Sequence, residues 1–143
     1  MYLLDTNSAS ALLNPGRANA NLGSRVRSTP MDDLCISIIT VEEMLRGVLN
    51  LVRRSQEQDQ VAGYELLKRL IYDLNRFAIL PFSYEAESIY NAFDSSVRRI
   101  GTQDCRIAAI ALAFDCIVIT ANTQHFSKIP ALKYEDWTKD NLT

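Results

Sequence analysis

Soft metal ligands are scarce in this chain. There is one histidine, His125, and the three cysteines, Cys35, Cys105 and Cys116, stand at no CxxC spacing. A conventional zinc site is thereby excluded and no disulfide framework is indicated. Such thiols fit a reducing compartment, so a cytoplasmic protein is expected. No apolar run approaches the ~20 residues of a membrane-spanning helix; the longest, 107–114, stops at Asp115. No basic segment leads into an apolar one at the start, so no signal peptide is expected. Positive charge is not in excess: the formal net charge is −2 and the pI about 5.4. A strongly basic nucleic-acid glue is not indicated. No GxGxxG follows the first apolar run, which argues against a dinucleotide-binding module.

What remains is a chain of 143 residues, 48% of them apolar, the size of one globular domain over 1–143. Short apolar or β-branched runs at 2–4, 34–39, 78–80 and 117–119 read as strands, with a final edge strand at 133–134. Helical spacing recurs between them. Residues 7–13 form a short helix ended by Asn14-Pro15-Gly16, and 18–28 another. Residues 40–52 show a stripe through Val41, Met44, Leu45 and Val48; 59–74 show one through Val61, Tyr64, Leu67, Leu70 and Ile71. Residues 53–58 are a polar loop between them. One helix is expected over 84–99. Gly101 breaks the chain, Thr102 can cap a helix to about Asp115, and 122–126 is a helical turn. Strands alternating with helices predict an α/β fold with a mainly parallel sheet and helices on both faces.

In such folds the working site lies beyond the carboxyl ends of the strands. Asp5 ends the first strand, Glu43 lies in the first turn after the second, and Asn122 just follows the fourth. The helix before the fourth strand runs antiparallel to it, so its start, with Asp104, lies at the same edge. Each residue also has a plainer explanation. Thr40 and Glu43 fit a capping box, Asp104 suits the positive end of a helix, and Asp5 and Asn122 could be N-caps. Glu42, four residues before Arg46, fits a solvated ion pair. Capping does not require that the caps share one edge, however. Carboxylates packed together repel, and a divalent cation offsets the repulsion. Oxygen ligands suit Mg²⁺ or Mn²⁺ rather than zinc.

At these residues the sequence resembles the PIN-domain ribonucleases, especially the VapC-type toxins of type II toxin–antitoxin pairs. Met-Tyr-Leu-Leu-Asp5-Thr6-Asn7 is similar to their opening. Residues 36–44, with Gly47 four residues after Glu43, resemble the second motif, and its register selects Glu43 rather than Glu42. Ile100-Gly101-Thr102-Gln103-Asp104 resembles the third motif, Val118-Ile119-Thr120-Ala121-Asn122-Thr123 the fourth, and 134–137 the closing strand. The resemblance implies a three-layer α/β/α fold with a parallel five-stranded sheet. It implies Mg²⁺- or Mn²⁺-dependent cleavage of RNA to 5′-phosphate and 3′-hydroxyl ends. Asp5, Glu43 and Asp104 would hold the metal, with Asn122 as the fourth catalytic position and Thr6 or Thr120 orienting a ligand. Many relatives carry Asp at the fourth position, and some have Asn there with an acid three residues on, where this chain has His125. An amide oxygen coordinates but brings no charge, so a PIN-fold protein that binds without cutting is the competing reading. A phosphatase with an N-terminal nucleophilic aspartate needs a second Asp two residues on, where this chain has Asn7. Arg106 and Arg46 are the candidate phosphate contacts. A homodimer, a cognate antitoxin and an RNA substrate are the implied partners, with residues 53–74 as a helical arm for such contacts.

Overall fold

A computed structural model describes residues 1–54 and 60–140. Five strands form one parallel sheet: β1 (Tyr2–Leu4), β2 (Leu34–Ser37), β3 (Ala78–Leu80), β4 (Ile117–Ile119) and β5 (Tyr134–Glu135), in the order β3-β2-β1-β4-β5. β1 is central, with Leu3 level with Cys35 on one side and Val118 on the other. Eight α-helices are described: α1 (Thr6–Leu13), α2 (Ala20–Ser28), α3 (Ile38–Arg54), α4 (Gln60–Leu74), α5 (Tyr84–Ala92), α6 (Ser95–Arg98), α7 (Thr102–Ala113) and α8 (Thr123–Phe126).

The period-two pleat sends alternate strand side chains to opposite faces, which builds two cores. Leu3, Cys35 and Val118 pack with Ala86, Val97, Ile107 and Ile110 of α5, α6 and α7. Leu4, Leu34, Ile36 and Ile119 pack on the other face with Ala9, Leu22, Leu70, Leu74 and Trp137. Covered on both faces, the strands read as continuous apolar runs without alternation. The expected three-layer arrangement is thus present.

Several boundaries differ from the sequence expectation, each for a local reason. β2 ends at Ser37, not Ile39, because the Ser37 hydroxyl accepts the Thr40 amide at 3.1 Å and starts α3 there. Thr40 is therefore inside the helix and caps nothing. The expected 84–99 helix breaks at Phe93. Asp94 takes the Val97 amide at 3.0 Å and starts α6, because an aspartate offers the backbone a cap in place of helix continuation. Gly101, not Thr102, is the cap residue of α7, at φ +127°, a conformation suited to glycine alone. α2 begins at Ala20 behind an Asn19 cap rather than at Ala18, and the last strand is one residue later than expected. α3 runs through Arg54. The rest of the expected 53–58 loop, and the expected helix start at 59, lie outside the described residues.

Among the described residues, the buried polar side chains are Asp5, Ser8, Ser37, Thr40 and Thr120. All five lie at the carboxyl edge of the sheet or in the helix turns that leave it. Buried polar groups are costly unless hydrogen-bonded, so their gathering at one edge marks that edge as specialised. No described helix is long and apolar enough to cross a membrane.

Candidate active site

Asp5 is the residue where β1 becomes α1. Its carboxylate Oδ1 accepts the Ser8 amide at 2.7 Å, and Thr120 donates to it from the end of β4. The Ser8 hydroxyl donates to the Ile119 carbonyl at 3.0 Å and ties α1 to β4. Asp5 is only 3% exposed. Burial pushes its carboxyl above the ordinary range; the Thr120 and Ser8 hydrogen bonds oppose this, and the charge of Asp104 adds to it. Thr120 also accepts the Asn122 amide at 2.9 Å, so one hydroxyl fixes both the first and the fourth motif.

Glu43 is held by a different set. Thr6 donates to its Oε1 at 2.6 Å. Because Thr6 has one hydroxyl proton, the 3.1 Å contact between Thr6 and Thr40 must run from Thr40 to Thr6. Thr40 in turn lies 3.4 Å from the Ser37 hydroxyl. A directed row of hydroxyls therefore leads from the end of β2 to the Glu43 carboxylate. Glu42 faces away and pairs with Arg46.

Asp104 lies in the first turn of α7, at the same edge. Its Oδ2 is 3.1 Å from His125 Nδ1, and the Asn122 side-chain amide is 2.8 Å from that same nitrogen. A single Nδ1–H shared between Asp104 Oδ2 and an Asn122 amide turned oxygen-inward would account for both contacts. His125 is thus part of the site, which the sequence reading did not include. The signal available was its position three residues, one helical turn, after Asn122. The sequence-based set of Asp5, Glu43, Asp104 and Asn122 with Thr6 and Thr120 gathers at one edge. Ser8, Ser37 and Thr40 were missed because in sequence they look like ordinary helix-start residues.

The PIN-domain family model matches residues 2–132. The chain belongs to the PIN-domain family. It is similar to the ribonuclease VapC1 of Haemophilus influenzae strain R2866, at 32% identity over 97% of this chain and 99% of that protein. It is also similar to the solved structure of FitAB bound to an IR36 DNA fragment, with a TM-score of 0.78, 28% identity, and coverage of 97% of this chain and 96% of the other. VapBC2 from Rickettsia felis, bound to a DNA fragment from its promoter, shares the fold at a TM-score of 0.73 and 24% identity, covering 95% of this chain and 98% of that one.

The donor set of this PIN domain fits a hard divalent cation: carboxylate and amide oxygens, with one carboxylate buried against the charge of another. Among the described residues, no three His, Cys, Asp or Glu side chains close into a ready-made cage. Glu43 is directed to Thr6, and Asp104 to His125. The two expected phosphate contacts are also engaged. Arg46 pairs with Glu42, Gln103 donates to the other Glu42 oxygen at 3.3 Å, and Arg106 donates to Gln103 at 2.9 Å. This row of side chains bridges α3 and α7 and holds both arginines against the surface.

Proposed function

We propose that this PIN domain is a metal-dependent endoribonuclease, the toxin of a type II toxin–antitoxin pair. The observation that carries the reading is the gathering of Asp5, Glu43 and Asp104 at the carboxyl edge of the sheet. The 32% identity to a protein named ribonuclease VapC1 supports the choice of RNA. Asp5, Glu43 and Asp104 would hold Mg²⁺ or Mn²⁺, with Asn122 as a neutral fourth oxygen donor. When bound, the ion supplies positive charge that neutralises the scissile phosphate and eases deprotonation of water.

The chain's own contribution is orientation. Ser8 and Thr120 fix the Asp5 carboxylate, and the Ser37–Thr40–Thr6 row fixes Glu43. His125 holds Asp104 and Asn122 in register. Water adds to phosphorus, the 3′ oxygen leaves, and the fragments carry 5′-phosphate and 3′-hydroxyl ends. Single-stranded or looped RNA suits the site, since its backbone bends to reach an acidic edge. A groove of about 500 Å³ starts at Thr6 and Glu43 and passes Leu13, Met44, Val48, Leu51 and Leu66. Its apolar wall beside an acidic end suits an antitoxin segment with a basic tip, and a homodimer would cover further apolar residues of α3 and α4. Incubation of purified protein with mixed RNA, Mg²⁺ or Mn²⁺ and then chelator tests the reading. Chelator-sensitive cleavage with 5′-phosphate ends supports it; cleavage that survives chelation contradicts it.

A second reading, a PIN domain that binds without cutting, is favoured by one contact. His125 stands where a cation near Asp104 would compete with it. Absence of cleavage with both metals, on RNA that the protein binds, would select this reading.

A further inference from the structure

A hollow of about 380 Å³ lies beside the acidic edge, lined by Ser96, Val97, Arg99, Ile100, His125 and Lys128. Val97 and Ile100 are buried and form its floor. Arg99 directly follows α6 and Lys128 is two residues beyond α8; both are exposed. Among the described residues neither has a side-chain partner. Arg46, Arg106 and Arg98 are occupied, by Glu42, by Gln103, and by the carbonyls of Tyr90 and Asn91; Arg17 and Arg69 also lack a side-chain partner among the described residues but line the groove at Thr6 and Glu43 rather than this hollow. His125 belongs to both regions, lining the hollow while its Nδ1 contacts Asp104.

We propose that Arg99 and Lys128, with His125 at the junction, form the subsite that holds a non-scissile backbone phosphate of single-stranded RNA. The inference rests on the ribonuclease reading. An edge bearing Asp5, Glu43 and Asp104 repels a polyanion, so a substrate strand needs compensating cations beside it. Phosphate contacts set the register of a strand without reading its sequence. Unpaired cations in a concave site supply such contacts without first breaking an ion pair. A cation at a helix end is favourable in itself, but that does not explain why two separate helix ends bring unpaired cations to one hollow.

The test is binding of a 5′-labelled single-stranded RNA oligonucleotide, read by fluorescence anisotropy over a salt series. An Asp5→Asn background prevents turnover. Arg99→Ala with Lys128→Ala should weaken binding by about tenfold or more at low salt, and flatten the log–log salt slope by about 0.7 per lost contact. Arg27→Ala with Arg76→Ala removes the same charge near the end of α2 and just before β3, away from the hollow. That control should change affinity by less than about twofold. Equal losses from the two pairs, or no loss from the first, would overturn the subsite even if the unsubstituted chain cleaves RNA. If the unsubstituted chain neither binds nor cleaves RNA, the ribonuclease reading itself has failed.

Discussion

Asp5 carries a cost that its role explains. Its buried carboxyl has a raised pKa, so the ionised form is disfavoured in the folded state. For such a group the stabilising contribution is present below the unfolded carboxylate pKa, and is lost as pH rises through the folded value. Asp5→Asn keeps a capping side chain toward Ser8 and removes the charge. The variant should melt at a higher temperature than the natural chain at pH 7, with the gain vanishing as the pH is lowered into the carboxylate range. Thermal scans across pH check this. Thr6 offers a separate test, because it touches Glu43 and not the other acids. Thr6→Val should lower kcat by about 10- to 100-fold, the usual cost of losing a group that orients a metal ligand, while Thr6→Ser retains most of it. Equal loss in both variants would mean that packing, not the hydroxyl, matters there.

At the scale of elements, the site depends on how helices begin. α7 starts at Gly101 with φ +127°, three residues before Asp104, and a Cβ there would meet nothing within 4 Å. The cost of Gly101→Ala is therefore backbone strain, about 1–3 kcal/mol. Chemical denaturation should show that loss, and activity should fall with it as Asp104 shifts. Ser83→Ala removes the α5 cap on the Ala86 amide, a bond that involves none of the acids, and should cost about 1 kcal/mol with activity unchanged. The strands themselves were legible because β1 and β4 are short apolar runs that stop at a polar residue, Asp5 and Thr120. The β2–α3 boundary was not, since Ile38 and Ile39 continue a β-branched run and only the Ser37 hydroxyl ends it. The same holds for Asp94, which in sequence is one acid on a charged helix face.

For the whole molecule, topology did much of the assembly. Parallel strands put Asp5 and Asn122 at one edge, and the antiparallel return of α7 brings Asp104 there; these placements follow from element order alone. The hydroxyl row to Glu43 and the His125 bridge were not legible, because they depend on contacts such as Thr6 with Thr40 across 34 residues. Nor could the sequence distinguish engaged arginines, such as Arg106, from the unpaired Arg99. Exposed apolar residues on α4, including Val61, Tyr64 and Tyr72, suit the proposed homodimer; sedimentation velocity of the isolated chain should show a species of two-chain mass. The most direct measurement is Mn²⁺-dependent cleavage of a labelled single-stranded RNA by the natural chain and by folded Asp5→Asn. Cleavage by the first, reduced by more than about 100-fold in the second, is the predicted result. Equal metal-dependent cleavage by both proteins would contradict an active centre built on Asp5.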